Sequence, residues 1–97
     1  MVVEVSPILS TIAQEMRLPV ADLVRQGVRA LVENQLLQVN AQILALHGKY
    51  QVSSVAEMEQ RYRDGTLEES ETWRDLQQLD HLEFERDRLQ GLLEALA

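Results

Sequence analysis

The stretch Pro19–His47, "PVADLVRQGVRALVENQLLQVNAQILALH", is the longest uninterrupted helical pattern in this chain of 97 residues. Val20, Leu23, Val24, Gly27, Val28 and Leu31 share one apolar face of that pattern. Val32, Leu36, Val39, Ile43 and Leu46 follow at alternating steps of four and three, which is a heptad seam. At 1.5 Å of rise per residue, such a helix spans roughly 40 Å. A rod of that length does not fit inside a compact domain of this size, so it must lie against another long helix.

The C-terminal residues supply one. Leu79, Arg86 and Leu93 recur every seven residues, as do Leu82, Leu89 and Leu96. Together they form a second seam, interrupted by Arg86, which is expected at the seam's edge through a local rotation of the helix. Trp73 and Leu76 extend the apolar face at its start. Trp73 is expected to anchor the core. Gly27 inside a helix costs about 1 kcal/mol relative to Ala, and its expected use is close approach of a neighbouring helix.

Punctuation around the two rods defines two shorter helices. Ser6-Pro7 reads as N-cap and N1 of a helix to about Met16 that buries Ile8, Leu9, Ile12 and Met16. Leu18-Pro19 stops it, and Pro19 opens the long helix. Gly48 fits a left-handed C-cap. Ser54-Val55-Ala56-Glu57 is a capping-box pattern, opening a helix with Val55, Met58 and Tyr62 that ends near Asp64-Gly65. Thr66-Leu67-Glu68-Glu69 is a second such pattern, and Ser70 offers a later start. Between the first rod and the third helix lies His47–Ser54, "HGKYQVSS". It reads as a corner: Lys49 at the negative helix end, Tyr50 packed with its hydroxyl in water, Val52 in the core. The fold class is all-α, with room for a short β-strand at "VVEV" (residues 2–5). Two long and two short helices make a single domain over 1–97, a hairpin or coiled-coil-like dimer. Residues 1–47 form one dimerisation region and 48–97 an acidic helical region.

Net charge is −7, and it is unevenly placed. Residues 1–50 balance four bases against four acids, whereas residues 51–97 set five arginines against twelve acids. The acidic half suits a basic partner and repels nucleic acid. There is no cysteine, so disulfides and thiolate chemistry are excluded. No apolar run is long enough for a bilayer, and the N-terminus lacks a basic region followed by an apolar block. A cytoplasmic protein without membrane contact is expected.

Residues that could carry chemistry are better explained by structure. His47 and His81 are far apart; Glu85 follows His81 by four, a spacing compatible with two metal ligands, but acids are abundant here. "EESETWRD" and "DHLEFERDR" read as solvated faces of amphipathic helices. Ser6, Ser53, Ser54 and Ser70 are each accounted for by a cap or turn, and no phosphate loop or nucleophile elbow is present. No catalytic residue, metal, cofactor or small-molecule substrate is expected.

The N-terminal third, with "VVEVSP", "ILSTIAQEM", "RLP" and Asp22 to Leu36, resembles small bacterial antitoxins and repressors of the ribbon-helix-helix type. Residues 49–83, "KYQVSSVAEMEQRYRDGTLEESETWRDLQQLDHLE", resemble the C-terminal regions of small antitoxin-like bacterial proteins. The resemblance implies intertwined chains whose short strands pair and enter the DNA major groove, and a tail that neutralises a toxin. By position, Val3 and Val5, or Val2 and Glu4, face the groove, with Arg25 and Arg29 near the second helix. The expectation is a non-enzymatic, antitoxin-like homo-oligomer. It engages a basic protein through its acidic half and contacts DNA as a dimer. Oligomerisation is expected along Val32, Leu36, Val39, Ile43 and Leu46 and along Leu79, Leu82, Leu89, Leu93 and Leu96. The alternative is a structural or adaptor protein that only mediates helical assembly.

Overall fold

The structure, a computed structural model, describes residues 6–97. The expected strand and the residues Val2, Val3, Glu4 and Val5 lie outside the described residues. Four helices follow in order: α1 (Pro7–Met16), α2 (Val20–Tyr50), α3 (Val55–Arg63) and α4 (Glu69–Leu96). The described residues are all-α. α4 returns along α2 as an antiparallel hairpin, α3 packs on α4 at the turn, and α1 packs on α2. The molecule measures 61 × 26 × 21 Å, with a radius of gyration of 19.8 Å. A compact chain of this length would have a radius of about 13 Å.

The hairpin is held by the two seams meeting each other. Ile43, Val52, Met58, Leu79 and Leu82 form one buried cluster, with Val39, Leu46, Tyr50, Val55, Tyr62, Leu67 and Leu76 packed around it. Met58 and Leu79 are 0 % exposed. Leu89 is buried farther along, while Val32, Leu36, Leu93 and Leu96 are half-buried. Of the seam residues expected to join chains, Val39, Ile43, Leu46, Leu79 and Leu82 pack in the cluster of this chain. Arg86 lies at the edge, its side chain 31 % exposed and its Nε 3.1 Å from Asp87 Oδ1.

Three helices end in the same way. Arg17 (φ 56), Gln51 (φ 53) and Gly65 (φ 75) are left-handed. In each case the next N–H reaches back five residues: Leu18 to the Ala13 carbonyl (2.9 Å), Val52 to His47 (3.1 Å) and Thr66 to Arg61 (3.0 Å). This is the Schellman closure. The long helix thus passes through Gly48, expected as its cap, and ends two residues later at Tyr50. The reason is downstream: Tyr50 and Val52 gain burial against α3 and α4 only if the helix continues. At the start of α3, the Ser54 hydroxyl accepts from the Glu57 N–H (3.1 Å). The return bond falls one residue earlier than a capping box predicts, from the Ser53 N–H to Glu57 Oε2 (3.0 Å). The second expected box does not cap α4. Thr66 instead donates its hydroxyl to the Arg61 carbonyl of α3 (3.3 Å), and Glu68 takes the N-cap position.

Two packing expectations change. Ile8, Ile12 and Met16 of α1 were expected in the core and are exposed, at 61 %, 38 % and 57 %, while Ala13 is the buried residue of that helix. Trp73 was expected as a core anchor and is also exposed, with the Arg74 guanidinium 5.8 Å from its ring centre. Truncating the cluster should be costly: Met58→Ala or Leu79→Ala should each lose about 2–5 kcal/mol in urea unfolding, whereas Leu37→Ala, on the open face of α2, should change stability by less than about 0.5 kcal/mol.

Candidate functional site

Two places draw side chains of α1–α4 together, the corner at residues 47–83 and a cleft between α1 and α2. The corner is a clamp. Tyr50 donates its hydroxyl to Asp75 Oδ2 of α4, and Lys49 Nζ lies 2.9 Å from the same oxygen. Arg61 of α3 donates to the Tyr50 carbonyl. Glu83 of α4 accepts the Val55 N–H at 3.1 Å, capping α3 from another helix. Tyr62 and Thr72 share a hydroxyl–hydroxyl bond of 2.7 Å. Tyr50 is therefore not hydrated as expected, and Asp75 and Glu83 are not simply acids on a solvated face. Each satisfies a donor that would otherwise be orphaned at a helix end or buried at the turn. His47 is half-buried beneath this corner, with Nε2 buried and without a hydrogen-bond partner. No group of three or more His, Asp or Glu side chains converges on one point among the described residues.

The second place is apolar throughout. A cleft of about 400 Å³ opens between α1 and the first half of α2. Its walls are Leu9, Ile12, Leu23, Val24, Gly27, Val28 and Leu31. Ile8, Ile12 and Met16 recur every four residues along α1, and Val24, Val28 and Leu31 at steps of four and three along α2; all six are exposed. Gly27 has no neighbour within 4 Å of where a Cβ would stand. Among the described residues, then, no helix takes the close approach that Gly27 was expected to admit. Arg25 and Arg29 are exposed on the same stretch of α2, and Arg29 Nε is tied to Glu33 at 2.9 Å.

The cleft lies beyond the stretch of α2 that pairs with α4. Asp75 stands beside Lys49 and Tyr50. From there to Leu96, α4 advances about 32 Å at 1.5 Å per residue, which reaches back to about Arg29 on α2. The first two and a half turns of α2, and α1 upon them, lie past the end of α4. The sequence marked this face as apolar; what it did not mark was the register that leaves it beyond the stretch of α2 paired with α4.

The corner makes stability depend on pH at both ends. The Tyr50 hydroxyl first, and Lys49 second, hold the Asp75 carboxyl below its ordinary 3.8. A depressed carboxyl contributes stability above its unfolded pKa and loses it as pH falls through the lower folded value. Burial first, and the bond to Asp75 second, hold the Tyr50 phenol above 10.0. Lys49 is also raised, chiefly by its bond to Asp75. Raised groups contribute below their unfolded pKa and lose the contribution as pH rises through the higher folded value. In thermal melts against pH, Asp75→Asn should flatten the acid limb and Tyr50→Phe the alkaline one. Profiles parallel to the wild type would remove the clamp from the account.

No helix among the described residues is long and apolar enough to cross a membrane. No curated protein and no solved structure shows significant similarity to the chain. A family model does match, over residues 1–97: the chain belongs to the uncharacterized protein MJ0235 family.

Proposed function

We propose that the protein is a non-enzymatic helical binding protein that docks other helices at the α1–α2 cleft. The observation that supports this is the composition of the cleft wall: seven residues, all apolar or glycine. Acid–base chemistry needs a proton-carrying group within hydrogen-bond reach of substrate, and this wall offers none. Small-molecule sites combine apolar walls with a few convergent polar groups, which are also absent here. An apolar groove bounded by two helices at i, i+4 spacing is instead the geometry that receives an amphipathic helix. Val28→Glu places a charge in the groove at a position already exposed in the single chain. It should abolish association while leaving helix content and hairpin melting unchanged. Association that survives the substitution would refute docking at this cleft.

A second reading adds a partner for the other half. Glu59, Glu69, Glu71, Asp80 and Glu94 are exposed and have no ion-pair partner among the described residues. They belong to the half that carries the whole net charge of −7. This favours an antitoxin-like division of labour, with assembly through the N-terminal half and capture of a basic protein by α3 and α4. Contact with DNA would fall to Arg25, since Arg29 is already engaged by Glu33. A basic protein that copurifies with the chain should be released as salt rises, and released more readily from Glu71→Lys/Asp80→Lys. Retention indifferent to both salt and charge reversal would rule out the acidic surface as the contact.

A further inference from the structure

We infer that the occupant of the α1–α2 cleft is a second copy of this chain, so that two α1–α2 arms pack around a two-fold axis into a four-helix unit, with the α2/α4 hairpins projecting outward. The inference rests on the docking reading above and names its partner. Three observations carry it.

The first is self-complementarity. A two-fold interface requires one patch to hold both the hole and the knob that fills it. The cleft is the hole. Beside it stand Ile8 (61 % exposed) and Met16 (57 %), and its wall includes Leu31 (58 %), all apolar side chains that reach into water from the same two helices. Gly27 supplies the close approach: a residue unfavourable inside a helix, with nothing among the described residues using the space.

The second is charge. Residues 6–33, which include this face, carry Arg17, Arg25 and Arg29 against Glu15, Asp22 and Glu33, so the arm meets its own copy without net repulsion. Residues 51–97 hold the entire −7 and would repel their own copy at the same distance. Self-association therefore belongs at the α1 end, with the acidic hairpins held apart.

The third is area. The chain exposes 7235 Å². A compact monomer of 11.1 kDa exposes about 5,700 Å². The excess is larger than the roughly 800 Å² that each partner buries in an interface of ordinary size. Of the eleven large hydrophobic residues exposed on the described chain, six lie between Ile8 and Leu31. That arm alone has the length of one side of such an interface, about 20–30 residues.

Light scattering of the purified full chain at micromolar concentration tests the inference. The wild type should weigh about 22 kDa, twice the 11.1 kDa chain. Leu31→Glu and Gly27→Glu should each halve the mass with unchanged circular dichroism. Gly27→Glu guards against misfolding, because it replaces a poor helix former at a position with open space. A wild-type dimer that persists in both variants would overturn the inference by placing the interface elsewhere. A wild-type monomer would overturn it too, and a hydrophobic dye then separates the two claims. Dye taken up by the wild type and lost in Leu31→Glu would leave docking intact with a different occupant. No uptake would end both.

Discussion

Met58 and Leu79, the two side chains sealed completely from water, are where three helices meet, and the arrangement of the rest follows from that contact. A fully buried side chain of this size contributes about 1.5–3 kcal/mol, and the cluster holds five buried residues. Its position at the closed end of the hairpin sets the register of α2 on α4. Register then fixes where α4 ends relative to α2. α4, described to Leu96, pairs with α2 only back to about Arg29, and among the described residues nothing covers the apolar face of α1 and the start of α2. The local packing at the corner and the open surface at the far end are consequences of one choice of register.

Polar groups at the corner reinforce that register and add little of their own. Lys49 is largely solvated, so its ion pair with Asp75 contributes little by Coulomb attraction alone. The bond from Tyr50 to Asp75 and the cap from Glu83 to Val55 matter in another way. The first is satisfied only when α4 lies in this register beside the end of α2, and the second only when it also meets the start of α3; a slip of the hairpin by one turn would leave each donor without its partner. Directional bonds thus select among registers that hydrophobic burial alone would leave close in energy.

How much of this the sequence makes legible depends on the kind of signal. Both seams, the all-α class and the bounds of α1 are read correctly from 3.6-residue periodicity and from proline, because these are local. Val52 and the N-cap role of Ser54 are local too. The left-handed ends at Arg17 and Gln51 are not, since neither is a residue type that marks such a conformation. Gly48 misleads for the converse reason: a good cap is overridden when residues beyond it have burial to gain. Asp75 and Glu83 look like any other acids until the hairpin places them opposite Tyr50 and Val55. The apolar face of α1 is visible as a pattern, but periodicity reports only that a face seeks cover. It does not say whether the cover comes from the same chain. Among the candidate sites, the seams are visible as patterns, the contacts of Ile43 with Leu79 and Leu82 appear only in the fold, and the cleft emerges only from the register of two helices.

The seams of α2 and α4 meet each other within one chain. The chain has no cysteine, so spin labels can be placed uniquely at Gln38→Cys and Asp87→Cys, both exposed on the hairpin. Doubly labelled protein, refolded with a large excess of unlabelled chains, should keep its short interlabel distance at full modulation depth. Loss of that distance on dilution would mean that the long helices pair between chains, and the account of the hairpin and of the open cleft beyond it would be contradicted.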